Sequence, residues 1–234
     1  AAADNDIVFP AVAAAHLGAL RVTPTSLHFR TSPGVDVYLD EVRVDSVDLL
    51  SDGASQGPTR LHSGSLSWWV IERVDRRWLR LSDALNPALE HPDSIEFFPI
   101  AGNWRVAARL HRVVDAPAIP VPTVLGLPTL QTAAGDLQFA ISGQSHHLQA
   151  LDGGDGRLFI IFTDLTSGRT TYDAGRFLWA DAPDETGHTV LDFNQAYNPP
   201  CAFSPFATCP LPPPGNHLNV AVMAGEKKWT GEVH

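Results

Sequence analysis

Three carboxylates, Asp164, Asp192 and Glu226, occur in the same half of the chain as Arg176 and Lys227. A carboxylate pair with a cation is the equipment of general acid–base catalysis on a small polar substrate. Arg176 is the best anion anchor of the group, because a planar guanidinium holds a carboxylate or phosphate at two points. Tyr172, Asn194 and Asn198 complete a candidate rim for a ligand pocket made of Tyr172, Arg176, Asp192, Asn194, Asn198, Glu226 and Lys227. The bland reading places the same charges at strand ends and turns, solvated or bonded to backbone.

Cys201 and Cys209 leave four readings open. A disulfide between them would close a short ring in an oxidising compartment. A thiolate metal site would recruit His217 at the same spacing but lacks an evident fourth ligand, so no metal is expected. A nucleophilic thiol needs a neighbour that lowers its pKa, and buried unreactive thiols need nothing. His146 and His147 are adjacent in a strand-like run, so their side chains point to opposite faces and do not chelate one ion.

The elements that must position these groups are strands. Short period-two runs recur throughout, bounded by Gly, Pro, Asn or Asp. They include 7–9, 17–22, 27–30, 35–39, 68–74, 78–81, 95–98, 105–110, 137–141, 158–163, 170–172, 176–179, 189–193 and 218–223. Two hairpins are expected, one from Trp69–Val74 into Trp78–Leu81 and one from Leu158–Asp164 into Arg169–Tyr172 through Thr166-Ser167-Gly168. The one helix-like stretch, Ser82–His91, contains Pro87 and reads as a loop with a turn of helix. Trp68 and Trp69 alternate across a strand, one toward a core and one toward the surface.

Residues 192–217, DFNQAYNPPCAFSPFATCPLPPPGNH, hold seven prolines and an apolar load that includes Tyr197, Phe203, Phe206 and Leu211. Proline removes a backbone donor and fixes φ, so neither helix nor central strand survives there. The apolar content argues against disorder. A stiff irregular loop clamped on a β core is expected.

The net charge of −10 and the absence of any Lys/Arg cluster longer than a pair argue against a nucleic-acid partner. No window approaches the ~20 apolar residues of a membrane helix, and AAADND does not read as a secretion signal. Ala1 is not an initiator methionine, which leaves open a processing product or a truncation; a cytoplasmic location is expected unless an upstream signal was removed. There is no G-x-S-x-G, H-E-x-x-H, phosphate loop or G-x-G-x-x-G, and no cofactor is expected.

The strings FTDLTSGRTTYDAGRFL, LDFNQAYNPPCAFSPFATCPLPP and AGEK, in that order, resemble the bacterial and archaeal family known as domain of unknown function 1684. GSLSWWVIERVDRRWLRLSD and FFPIAGNWRVAARL extend the likeness over Asn5–Lys227. The resemblance implies relatives, not a reaction. A weaker likeness in the first half, through NDIVFP, AHLGALRV, VYLDEVRVDSVDLLSDG and LHSGSLSWWVIERV, is to forkhead-associated β-sandwiches. That family grips phosphothreonine with a Ser three residues before a His; here Ala13 stands at that spacing before His16, so the resemblance implies a degraded pocket and a scaffold role.

The expectation is therefore an all-β protein: a β-sandwich over 1–91 packed on a second β domain over 92–234, a barrel candidate capped by the proline-rich loop. Two functions compete. One is a binding or hydrolytic site for a small polar or anionic ligand; the other is a noncatalytic interaction module.

Overall fold

The computed structural model describes residues 5–10, 13–73, 76–89, 95–113 and 118–231. Among these there is no α-helix, only short 3-10 turns, so the protein is all-β. No helix of the described residues is long and apolar enough to cross a membrane. The chain divides into two compact units, Ala1–Pro92 and Asp93–His234. The boundary expected at His91/Pro92 falls outside the described residues.

Unit 1 holds β1 (Gly18–Val22), β2 (Leu27–Thr31), β3 (Tyr38–Leu39), β4 (Val42–Arg43), β5 (Ser46–Asp48), β6 (Leu61–Ser63), β7 (Leu66–Arg73) and β8 (Arg76–Asp83). They form one sheet in the order β1-β2-β5 and another in the order β4-β3-β6-β7-β8. Leu27 and Phe29 of the first sheet share one buried cluster with Leu61, Leu66, Trp68 and Val70 of the second, which makes a sandwich. Trp68 is its aromatic centre, with Phe9 and Phe29 edge-on to its ring at 5.5 and 5.9 Å. Trp69 points the other way and carries Arg60 over its ring at 4.0 Å. The expected β7–β8 hairpin forms with Trp69 opposite Arg80, and its turn at Val74-Asp75 lies outside the described residues. Residues 7–9 make no ladder, and the expected strand at 35–39 shrinks to β3.

Unit 2 holds β9 (Arg105–Arg112), β10 (Ala118–Val121), β11 (Thr129–Ile141), β12 (Gln144–Asp152), β13 (Leu158–Asp164), β14 (Arg176–Ala180), β15 (His188–Asp192) and β16 (His217–Leu218). The path runs β14-β13-β12-β11-β9-β15, with β10 on β11 and β16 parallel to β13. Its two end strands lie beside each other, curling the sheet into a half-barrel. The barrel does not close by a ladder; instead Phe177 of β14 exchanges backbone bonds with Tyr197, just beyond β15. Alternate residues fill the concave side, including Leu110, Leu137, Leu148, Ile160, Phe162, Leu178 and Leu191. At Gly135 the β11–β12 register shifts, and a Cβ there would stand 2.3 Å from His111 O, so the bend requires glycine.

The convex side of β13 and β14 is buried as well. Ile161 and Phe177 pack with Leu151, Val121 and Cys209, and Tyr197, Cys201 and Ala207 lie against them. The proline-rich segment is therefore the cap that the sequence leads one to expect, and β13 can be apolar on both faces because of it. Its prolines leave few donors, and backbone bonds in both directions tie it down: Leu211 N–H donates to Pro122 O at 2.7 Å, and Cys209 O accepts from Val124 N–H at 3.1 Å.

Three strand expectations in this unit need correction. β13 pairs with β14, not with 169–172. The cause is Asp164, whose Oδ1 accepts from Thr166 N and Oγ1 at 2.7 and 2.6 Å, winding residues 164–171 into a compact turn instead of a hairpin arm. Residues 95–98 contribute a single bridge, Phe97 with Glu226. The expected strand at 218–223 ends at Leu218, because the carbonyls beyond it are drawn to a side chain described next.

Candidate functional site

Arg176 opens β14 with its side chain inside the protein, 1% exposed. Nη2 donates to Asp164 Oδ2 at 2.9 Å and to Val222 O at 3.0 Å; Nη1 donates to Ala224 O and, at 3.3 Å, to Glu226 O. Burial pulls the guanidinium down from its ordinary pKa, and the Asp164 and Glu226 carboxylates push it back up. Four of its five donors are thus committed to the chain itself, and only Nε–H lacks a protein partner. The expected anion anchor is an internal clamp on residues 222–226.

Glu226, Lys227 and Asn198 meet at the same segment. Asn198 N–H donates to Glu226 Oε2 at 2.7 Å and its Nδ2 to Lys227 O at 2.8 Å. Lys227 Nζ reaches Glu96 Oε2 at 2.9 Å, and that bond holds the Glu96 carboxyl below its usual range. Gly225, at φ +73°, lets this strap pass within reach of Ala196 O. Asp192 and Asn194 form a separate group: Asp192 Oδ1 accepts from Asn194 N and Nδ2, while the Asn194 amide exchanges two bonds with the Ala101 backbone at 3.1 and 3.0 Å. The candidate rim therefore splits into the clamp at 222–227, the Asp192–Asn194 staple, and Tyr172.

Tyr172 belongs to the thiol cluster. Its hydroxyl donates to Cys201 O at 3.1 Å. Burial, then the contact with Cys201, raise the tyrosine well above its ordinary pKa. The structure carries Cys201 and Cys209 as thiols, with Cys201 N–H donating to Cys209 Sγ at 3.1 Å. The hydrogen bond from Cys209 lowers Cys201 to about 7, against burial that raises it and with Tyr172 assisting. His217 bonds to Thr163 Oγ1 at 3.0 Å, and among the described residues no three His, Cys, Asp or Glu gather tightly enough for a metal. His146 stacks on Phe139 while its neighbour His147 is exposed, in line with opposite faces.

Sequence reasoning missed two features. Asn216, 3% exposed, bonds to Gln149 N and O and to Ile161 O at 2.8 to 2.9 Å, filling the gap between strands β12 and β13. Its only signal was an Asn directly after a Pro-Pro-Pro-Gly turn. The second is a cavity of about 360 Å³ in unit 1. Phe9, Leu17, Leu20, Phe29 and Trp68 wall it, and Asn5 and His16, joined by a 2.7 Å side-chain bond, are part of its lining. Nothing in period-two patterning marks a cavity among the core residues of a sandwich.

The family model described as Protein of unknown function (DUF1684) matches residues 91–227. The solution NMR structure of an uncharacterized protein from Haloarcula marismortui is 31% identical, with the match covering 61% of this chain and 80% of that one at a TM-score of 0.50. No curated protein matches.

Proposed function

The chain belongs to the DUF1684 family, and since the two buried charges of the family-matched region, Asp164 and Arg176, are spent on each other and on the chain itself, we propose that the protein works by binding rather than by acid–base catalysis. The ligand proposed is a small molecule with an apolar body and a polar or anionic end, seated in the unit 1 cavity. One observation carries the reading: about 360 Å³ of space walled by Phe29, Trp68 and Leu20, with Asn5 and His16 bonded to each other in its lining. That volume falls in the range of small-molecule sites, and an apolar wall with a few convergent polar groups is their usual chemistry. The reading gives no hydrolytic role to Glu226 and Asp192, whose carboxylates accept bonds from Asn198 and Asn194.

The test uses 1-anilinonaphthalene-8-sulfonate, an apolar anion, and its displacement by decanoate and by decanol. Wild type is expected to bind the dye and release it to decanoate, and decanoate should raise the melting temperature with the logarithm of its concentration. Leu20→Trp, which fills the cavity, should lose dye binding while keeping its circular dichroism. His16→Ala should weaken decanoate more than decanol. Equal dye binding by wild type and Leu20→Trp would sink the proposal.

A further inference from the structure

Cys201 and Cys209 form a pair built for each other. Cys201 sits half-buried in the 3-10 turn Pro200–Ala202, while Cys209 is 5% exposed beneath it. The Cys201 N–H points at Cys209 Sγ from 3.1 Å, which brings the second sulfur over the backbone of the first. The two termini of the intervening loop are fixed independently: Ala202 N–H bonds to Pro199 O at 2.9 Å, and Cys209 O is held by Val124. Pro199, Pro200, Pro205 and Pro210 restrict the chain on both sides. Little chain entropy remains to be lost on cross-linking.

We propose that Cys201 is a peroxide-reactive thiol, that Cys209 resolves it into an intramolecular disulfide, and that Tyr172 is the positioning residue that holds Cys201 for attack. In the first step the Cys201 sulfur attacks one oxygen of hydrogen peroxide. An S–O bond forms, the O–O bond breaks, and the departing hydroxide takes a proton to leave as water. Sulfur is oxidised by two electrons and the peroxide oxygens are reduced. In the second step the Cys209 sulfur attacks the sulfenic sulfur of Cys201, the S–S bond forms, the S–O bond breaks, and the hydroxyl leaves as water with the thiol proton. Two thiols and one peroxide give one disulfide and two waters; an external dithiol reverses it by exchange.

Three observations favour this division of labour. The less buried sulfur is the one an oxidant reaches. The Cys209 hydrogen bond and the Tyr172 hydroxyl both stabilise the Cys201 thiolate, whose pKa falls to about 7; Asp173 is the charged group facing Tyr172. The ring so closed carries Phe206, 82% exposed, and Phe203, packed on Trp229 at 5.4 Å, so oxidation stiffens a surface loop with apolar side chains.

The test is hydrogen peroxide treatment of the folded chain, followed by mass spectrometry with and without dimedone, which traps sulfenic acid. Wild type is expected to lose two hydrogens and take no dimedone, with dithiothreitol restoring the mass. Cys209→Ala should take dimedone on Cys201, and Cys201→Ala should take none on Cys209. Alkylation by iodoacetamide at pH 7 should be about tenfold slower in Cys209→Ala than in wild type, as Cys201 returns toward the ordinary thiol range, and slower also in Tyr172→Phe. A folded wild-type chain whose cysteines stay reduced under peroxide, or dimedone on Cys209 in Cys201→Ala, overturns the assignment. An unchanged alkylation rate in Tyr172→Phe overturns the role given to the tyrosine.

Discussion

Asp164 and Arg176 share an ion pair of 2.9 Å from which solvent is excluded, their side chains 0% and 1% exposed. Two charges so deeply buried are tolerable only if every remaining lone pair and proton finds a partner, and here Thr166 and the carbonyls of Val222, Ala224 and Glu226 supply nearly all of them. Asp164→Asn should therefore destabilise unit 2 by about 3–5 kcal/mol, the usual loss when one partner of a buried pair is removed. In urea denaturation the double variant Asp164→Leu, Arg176→Met should recover little of this, since three buried carbonyls then lack donors. Full recovery would mean that the arginine is an isolated ion-pair partner and not a clamp.

Glycine at 225 is expected to be intolerant of any side chain. A Cβ would lie 2.4 Å from Ala196 O and 2.9 Å from Phe193 O, on a backbone at φ +73°. Gly225→Ala should lower stability by at least about 2 kcal/mol, whereas Gly102→Ala, with nothing within 4 Å of its Cβ, should change it by less than about 0.5 kcal/mol. Melting curves of the two variants decide the matter.

Asn216 reads as a splint between β12 and β13. Asn216→Ala strands the Gln149 N–H and O and the Ile161 carbonyl, and should cost about 2–3 kcal/mol. Amide exchange gives the sharper measurement: protection at Gln149 should fall well below that of Leu137↔Leu148 in the β11–β12 ladder.

Asp52 gives unit 1 an acid-sensitive contribution. Burial pushes its pKa up, but the Glu72 N–H and the Arg73 guanidinium at 2.7 Å outweigh that and leave it below the ordinary 3.8. A lowered folded-state pKa means stability present above 3.8 and lost as pH falls through the lower folded value. Asp52→Asn should cost roughly 1–2 kcal/mol at neutral pH, and the gap from wild type should close below that value. A gap that persists at pH 2 would point to packing, not charge.

The sheets were legible because alternation is a local signal: Val106, Ala108 and Leu110 declare β9, and Leu137 and Phe139 declare β11. Proline density likewise revealed the cap, since its physics is confined to single residues. What sequence spacing could not reveal is the direction in which a polar group finds its partners. Arg176 looks the same whether its fork meets a ligand or three carbonyls 46 to 50 positions away. Among the strands that went unread, β4, β5 and β6 are two or three residues long and β10 four, too short for a period to register.

The carbonyls gripped by Arg176 follow it in the chain by 46 to 50 residues. Until Val222, Ala224 and Glu226 emerge, a nascent chain holds Asp164 and Arg176 without most of their final partners, and the half-barrel has no inexpensive way to enclose them. Enclosure of the pair therefore waits on residues 222–226, and a product terminated before residue 222 is exposed to proteolysis as an incomplete fold.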